Sequence, residues 1–174
     1  MIIKHIGQRV AVLIDVQNLY HSAKNLYGAR VNFREILKLA VSQRNLIRAF
    51  AYVVRTKSGE EKPFFEALIK LGIETRVKDL QEFFGGLKKA DWDVGIVIDA
   101  IRIAPSVDTL VLASGDGDFI SLVEYLKNQG RRVEVIAFGK TTSSKLKEAA
   151  DEFIDVEKNL EKCLLKKCQI KLSN

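Results

Sequence analysis

Short runs of aliphatic and β-branched residues recur along this chain, each followed by a stretch of helical periodicity, and that alternation limits the fold more than any other feature. Arg9 to Ile14 reads as a strand ending at Asp15, Leu46 to Val54 as a buried second strand, and Ile73 to Val77 as a weaker third near a sheet edge. Thr109 to Ala113, Arg132 to Phe138 and Glu152 to Asp155 complete the strands. Helices are expected over Asn18 to Tyr27, Glu60 to Leu71 (stopped by Gly72), Asp93 to Ala104, Phe119 to Gln129 and Ser143 to Ala150. Another begins at Asn32, with Glu35 as its capping-box partner. Leu80 to Lys89, with Phe83-Phe84-Gly85-Gly86, reads as a mobile loop. Strand–helix–strand connections are right-handed parallel crossovers, and near-continuous apolar strands need cover on both faces. The expectation is an α/β three-layer sandwich around a central, mainly parallel sheet.

Length and charge refine this. A chain of 174 residues fits one domain with an adequate core, and 47% hydrophobic residues with 2 Pro exclude disordered and collagenous classes. The longest apolar run, Ala49 to Val54, is far short of the roughly 20 residues of a membrane span. Val10 to Ile14 is likewise too short for a signal-peptide core, so a cytoplasmic protein is expected. Cys163 and Cys168, five apart, do not have metal or redox spacing and read as ordinary thiols. The net charge is +6, of which +3 comes from the five Lys and two Glu of residues 157–174. We therefore divide the chain into a domain over 1–156 and a basic C-terminal helix over 157–174. A basic balance mildly favours an anionic partner.

In open parallel sheets, ligands sit at the carboxyl ends of the strands. The first strand ends in Asp15 and the fourth in Ser114-Gly115-Asp116-Gly117-Asp118, while Asp93 starts a helix at the same edge. Converging carboxylates raise one another's pKa, and a divalent cation removes the conflict. An oxygen-only donor set with no nearby Cys or His suits Mg²⁺ or Mn²⁺ and disfavours zinc. Such a metal activates water and neutralises a scissile phosphate. Taken singly, Asp15 reads equally well as a helix cap and Asp116-Gly117-Asp118 as a turn; their convergence is the signal. Asn18 either orients a water or phosphate, or caps its helix. Asp99, roughly 240° around the helix from Asp93, serves as structural support or as a ligand. His5 and His21 read as surface or core residues.

The same edge gathers Arg55, Lys57, Lys78, Lys88, Lys89 and Lys140, a rim suited to a polyanion or simply to loop solvation. Phe83 and Phe84 either stack on bases or pack under their loop. A receiver domain, a haloacid-type phosphatase and a toprim site each require acids this chain lacks at the first strand or place elsewhere. No phosphate-cradling loop ending in Lys-Ser/Thr is present.

Three motifs in order, Val12-Leu-Ile-Asp15-Val-Gln-Asn18, Lys89-Ala-Asp-Trp-Asp93-Val-Gly-Ile-Val-Ile-Asp99 and Leu112-Ala-Ser114-Gly-Asp116-Gly-Asp118-Phe119, resemble the NYN domain, in its LabA-like branch, within the PIN-like nuclease superfamily. The resemblance covers roughly residues 8 to 156. It implies a sheet in the order 3-2-1-4-5 and a metal-dependent ribonuclease that leaves 5′-phosphate and 3′-hydroxyl ends. By the family pattern, Asp15, Asp93, Asp116 and Asp118 match the acidic metal site, Asn18 matches the Asn three after the first Asp, and Asp99 matches a second recurrent acid. Ala90-Asp91-Trp92 lengthens the usual run, so Asp91 competes with Asp93 for the site; Asp93 keeps Asp99 in register. RNA is the expected partner, and the expected cofactor is Mg²⁺ or Mn²⁺.

A second reading stands beside the enzyme: a non-catalytic RNA- or protein-binding module that retains the acidic pocket. The basic terminal helix supports it, with Leu160, Leu164 and Leu165 placed to pack on a second chain as a homodimer.

Overall fold

The computed structural model describes residues 4–82 and 91–165, together with the backbone of 88–89. Six parallel strands form the central sheet: β1 (Arg9–Asp15), β2 (Asn45–Arg55), β3 (Glu74–Asp79), β4 (Thr109–Ala113), β5 (Arg132–Ala137) and β6 (Glu152–Asp155). Their spatial order is 3-2-1-4-5-6, the expected order with the short final strand added beside β5. Order reverses at β1, whose neighbours are β2 and β4, with Asp15 opposite Tyr52 and Ile14 opposite Ala113. Because the strands are parallel, all their carboxyl ends share one edge.

Helices α1 (Val16–Tyr27), α2 (Phe33–Val41), α3 (Lys62–Lys70) and α7 (Leu160–Cys163) cover one face, and α4 (Asp93–Ile103), α5 (Ile120–Asn128) and α6 (Ser144–Ala149) the other. In β1, Val10 to Ile14 are fully buried and alternate between the two cores. Central strands covered on both faces carry such continuous apolar runs. Edge strand β3 is half-buried to exposed, which matches its weaker pattern. Gly72, at φ +81°, ends α3 in the left-handed conformation an L side chain resists. Among the described residues, no helix is long and apolar enough to cross a membrane.

Three expectations change. The capping box at α2 does not form: Glu35 bonds Lys38, and Asn32 donates its side-chain N–H to the carbonyl of Lys162. A distant segment has claimed the capping side chain. That segment belongs to the expected long terminal helix; among the described residues it forms a 3₁₀ turn (Val156–Asn159) and the four residues of α7. At Leu164–Leu165 it becomes a strand antiparallel to Arg30–Val31. Leu160 and Leu164 pack on the core of their own chain and Cys163 is buried. The helical spacing of these residues is real, but it faces inward. Burial pushes the Cys163 thiol up to about 11, as expected of an inert thiol. Third, the ends of the expected mobile loop, Gln81–Glu82 and Lys88–Lys89, pair as a two-stranded antiparallel ladder. Arms of two residues are too short to show alternation in sequence. Phe83 and Phe84 lie outside the described residues, as does Cys168.

Candidate metal centre

The site is assembled where β1 and β4 end side by side. Asp15 closes β1 in extended conformation and caps α1: its Oδ1 accepts the Asn18 N–H at 3.1 Å. Its Oδ2 accepts the Ser114 hydroxyl at 3.1 Å. Capping and site building are thus one arrangement, with a separate oxygen for each. Asn18 returns the link, its Oδ1 accepting the Gly115 N–H at 2.9 Å. Ser114, fully buried, also accepts the Asp116 N–H at 3.3 Å.

After Ser114 the chain makes a tight turn, with Asp116 accepting the Asp118 N–H at 3.0 Å. The turn lies against the loop that follows β5. The Ser143 N–H donates to the Gly115 carbonyl at 3.0 Å. A Cβ on Gly115 would lie 2.7 Å from Thr142 Oγ1 and 3.1 Å from Thr142 Cα, so only glycine allows this approach. Thr142 and Ser143 were not legible as site residues. Ser143 carries a cap signal, since it caps α6, but nothing local says which turn it meets.

The third contribution comes from the start of α4. The Trp92 indole N–H donates to the Val53 carbonyl at 2.9 Å, and its ring lies 5.4 Å from the Tyr52 ring. Lys78 covers the indole at 4.7 Å and donates to the Asp91 carbonyl at 2.8 Å. A Cβ on Gly95 would meet the ring at 2.5 Å, which explains a helix-interior glycine that costs about 1 kcal/mol in propensity. Trp92 thereby pins the first turn of α4 to β2 and fixes where Asp93 stands.

The outcome is a cluster in which carboxylate oxygens of Asp93, Asp116 and Asp118, one from each, lie within 4.8 Å of one another. Asp93 and Asp116 are partly buried and Asp118 is exposed. Asp93, rather than Asp91, is the helix-start member. Two unit charges at such a separation repel by on the order of 1 kcal/mol in water and about 4 kcal/mol at a protein surface. Asp15 is outside this group of three but feels it. Burial pushes its carboxyl above the ordinary range and the charges of Asp93 and Asp116 push the same way, against the lowering effect of Asn18 and Ser114. The donors are all hard oxygens, the chemistry that fits Mg²⁺ or Mn²⁺.

Asp99 does not join the cluster. It accepts the Tyr52 hydroxyl at 3.1 Å and the Arg76 guanidinium at 3.2 Å, with Arg102 at 3.9 Å. Burial first, then Asp99, raises the Tyr52 phenol. This is the structural alternative for Asp99, tying α4 to the outer strands. Of the expected basic rim, Arg55 is paired with Asp79 at 2.7 Å and Lys140 with Glu157 at 3.3 Å, both on the surface. Lys57 and Lys78 are exposed at the same edge, and the side chains of Lys88 and Lys89 lie outside the described residues. His5 and His21 are both exposed.

The family model for the NYN domain matches residues 9–160. The chain is 29% identical over 156 residues to the low amplitude and bright protein LabA of Synechococcus elongatus, covering 85% of this chain and 83% of that one. It is 25% identical over 150 residues to an uncharacterized protein of Methanocaldococcus jannaschii, spanning 85% of this chain but only 55% of that relative. The crystal structure of a protein of unknown function from Vibrio parahaemolyticus superposes with a TM-score of 0.83 at 32% identity, covering 94% of this chain and all of that one.

Proposed function

The chain belongs to the NYN domain family, in the PIN-like nuclease superfamily, and from that membership and its three-carboxylate cluster we propose that it is a metal-dependent ribonuclease acting through Mg²⁺ or Mn²⁺. The observation that carries the reading is the meeting of Asp93, Asp116 and Asp118 within 4.8 Å. These three would hold the ion, with Asp15 and Asn18 at its floor. A bound divalent ion supplies charge neutralisation at the scissile phosphate and a water of lowered pKa.

The chain's own residues do the positioning. Ser114 and Asn18 hold Asp15 and the Gly115 backbone, so β1 and β4 present their acids in fixed relation. Trp92 does the same for Asp93. Asp118, the exposed member, is open to an incoming substrate. Lys57 and Lys78 supply positive charge for a phosphate backbone at that edge.

The test is cleavage of a fluorescent RNA with and without Mn²⁺. Asp116→Asn preserves the side-chain oxygen that accepts the Asp118 N–H, so the turn survives. Metal-stimulated cleavage is expected to fall by more than the roughly 10- to 100-fold that loss of an outer-shell partner costs. Full activity in this variant, with metal still required, refutes the assignment. Mn²⁺ binding with no cleavage of any RNA favours the non-catalytic module.

A further inference from the structure

Helix α4 is apolar on two faces. Ile96, Ala100 and Ile103 are buried in the core under the sheet. Val94, Ile98 and Ile101 are 69%, 42% and 41% exposed. Steps of four and three residues place these three within about 60° of one another on a helix that turns about 100° per residue. A surface helix ordinarily turns a polar face outward. Here the middle of the outward face is a stripe of branched aliphatics, and Asp99, the polar residue among them, turns aside to Tyr52 and Arg76. This stripe has no role in the acidic site, although Asp93 begins the same helix.

Two features of the stripe identify its occupant. It is nearly symmetrical about Ile98, with Val94 four residues before and Ile101 three after. Its ends carry opposite charge: Asp91 is exposed just before the helix, and Arg102, in the last turn, has a side chain 76% exposed. A surface that reads the same in both directions and carries opposite charges at its ends is complementary to its own copy about a two-fold axis. We propose that a second copy of this chain docks here, α4 against α4 in antiparallel orientation, with the axis near Ile98.

In that pairing Val94 meets the partner subunit's Ile101, and Ile98 meets the partner's Ile98. Arg102 comes beside the partner subunit's Asp91, once at each end. The helix dipoles run in opposite directions, which is favourable, whereas a parallel pairing would set Arg102 beside its own copy and Asp91 beside its own. A stripe of three side chains with two rim ion pairs sits at the small end of protein interfaces, so the dimer is reversible and concentration-dependent. The dimer surface proposed here is therefore α4; of the C-terminal leucines, Leu160 and Leu164 pack on their own chain and Leu165 is exposed.

Sedimentation velocity on the full chain, from low micromolar to submillimolar concentration, reads the equilibrium directly. The weight-average mass is expected to rise from 19.6 kDa toward twice that value. Ile98→Glu places a charge at the axis of an already exposed position, so the fold survives, as its melting curve verifies. It is expected to weaken dimerisation by more than about tenfold, one factor of ten being 1.4 kcal/mol. Arg102→Asp and Asp91→Arg each weaken it alone, and the double reversal restores it, a recovery that a merely structural role would not produce. The proposal is overturned if the wild-type chain stays at 19.6 kDa throughout, as it would were the stripe kept for a different protein. It is equally overturned if Ile98→Glu dimerises as the wild type does, or if the double reversal recovers nothing. None of these outcomes bears on the acidic cluster, so the nuclease reading stands or falls separately.

Discussion

A buried and a half-buried carboxylate in the central sheet meet opposite surroundings. Glu134, in β5, is fully buried. Its two oxygens accept the Arg44 guanidinium in a fork at 2.9 and 2.8 Å, Arg132 adds a bond at 2.8 Å, and Lys4 lies at 3.5 Å. Burial alone would raise its carboxyl, but these partners hold it below the ordinary value. Asp15, in β1, accepts two neutral donors and feels the charges of Asp93 and Asp116, so burial pushes it up. The chain neutralises Glu134 from its own sequence. Around Asp15 the hydrogen-bond donors are neutral and the nearby charges are negative, and the proposed metal ion would supply the compensating charge there.

Glu134 depends most on Arg44. Arg44→Met leaves Glu134 buried without its fork and removes bonds to the Ala40 and Val41 carbonyls at the end of α2. Chemical denaturation should show a loss of about 3–5 kcal/mol. A loss near zero would mean that Glu134 is not held by this pair. The acidic end should respond to metal instead. Mn²⁺ at about 100 times its dissociation constant should stabilise the fold by about 2.7 kcal/mol, and Asp116→Asn should abolish that increment in a thermal-shift titration.

A smaller effect of opposite sign is expected at Asp15. Asn also caps helices, so Asp15→Asn keeps the bond to α1 while removing a disfavoured charge. Without metal at pH 7 the variant should melt slightly higher than wild type. Because the folded carboxyl is raised, its penalty is full above that raised value and absent below the ordinary value of 3.8, so the gain should vanish in acid. Glu134 runs the other way: its contribution is complete above 4.5 and is lost as pH falls through its lowered value. Stability–pH curves of Asp15→Asn and Glu134→Gln should therefore diverge from wild type at different ends of the acidic range. The smallest effect is expected at Lys78, where Lys78→Ala should weaken RNA binding evenly across sequences and lower the salt slope by about 1.

Much of this was legible before folding. The six strands lie within a residue or two of their expected bounds, because hydrophobic runs of strand length bracketed by helical periodicity have few other solutions. Asp116 and Asp118 were legible because turn residues after a buried strand fall at a parallel sheet's ligand edge. Trp92 was legible only as part of a motif. Its role depends on Val53, Tyr52 and Lys78, which no local pattern connects to it. The terminal segment misled for the same reason: Leu160, Cys163 and Leu164 have helical spacing, but spacing does not reveal that Asn32 and Val31 take up the backbone there.

Local patterns suffice for the layered α/β architecture and the edge at which the acids gather, because periodicity and strand ends are properties of contiguous residues. Which acids meet is settled by long-range packing. Asp93, Asp116 and Asp118 converge while Asp15 stands beside them and Asp99 turns to Arg76, since distances between separate segments are set by packing against partners far away in the chain.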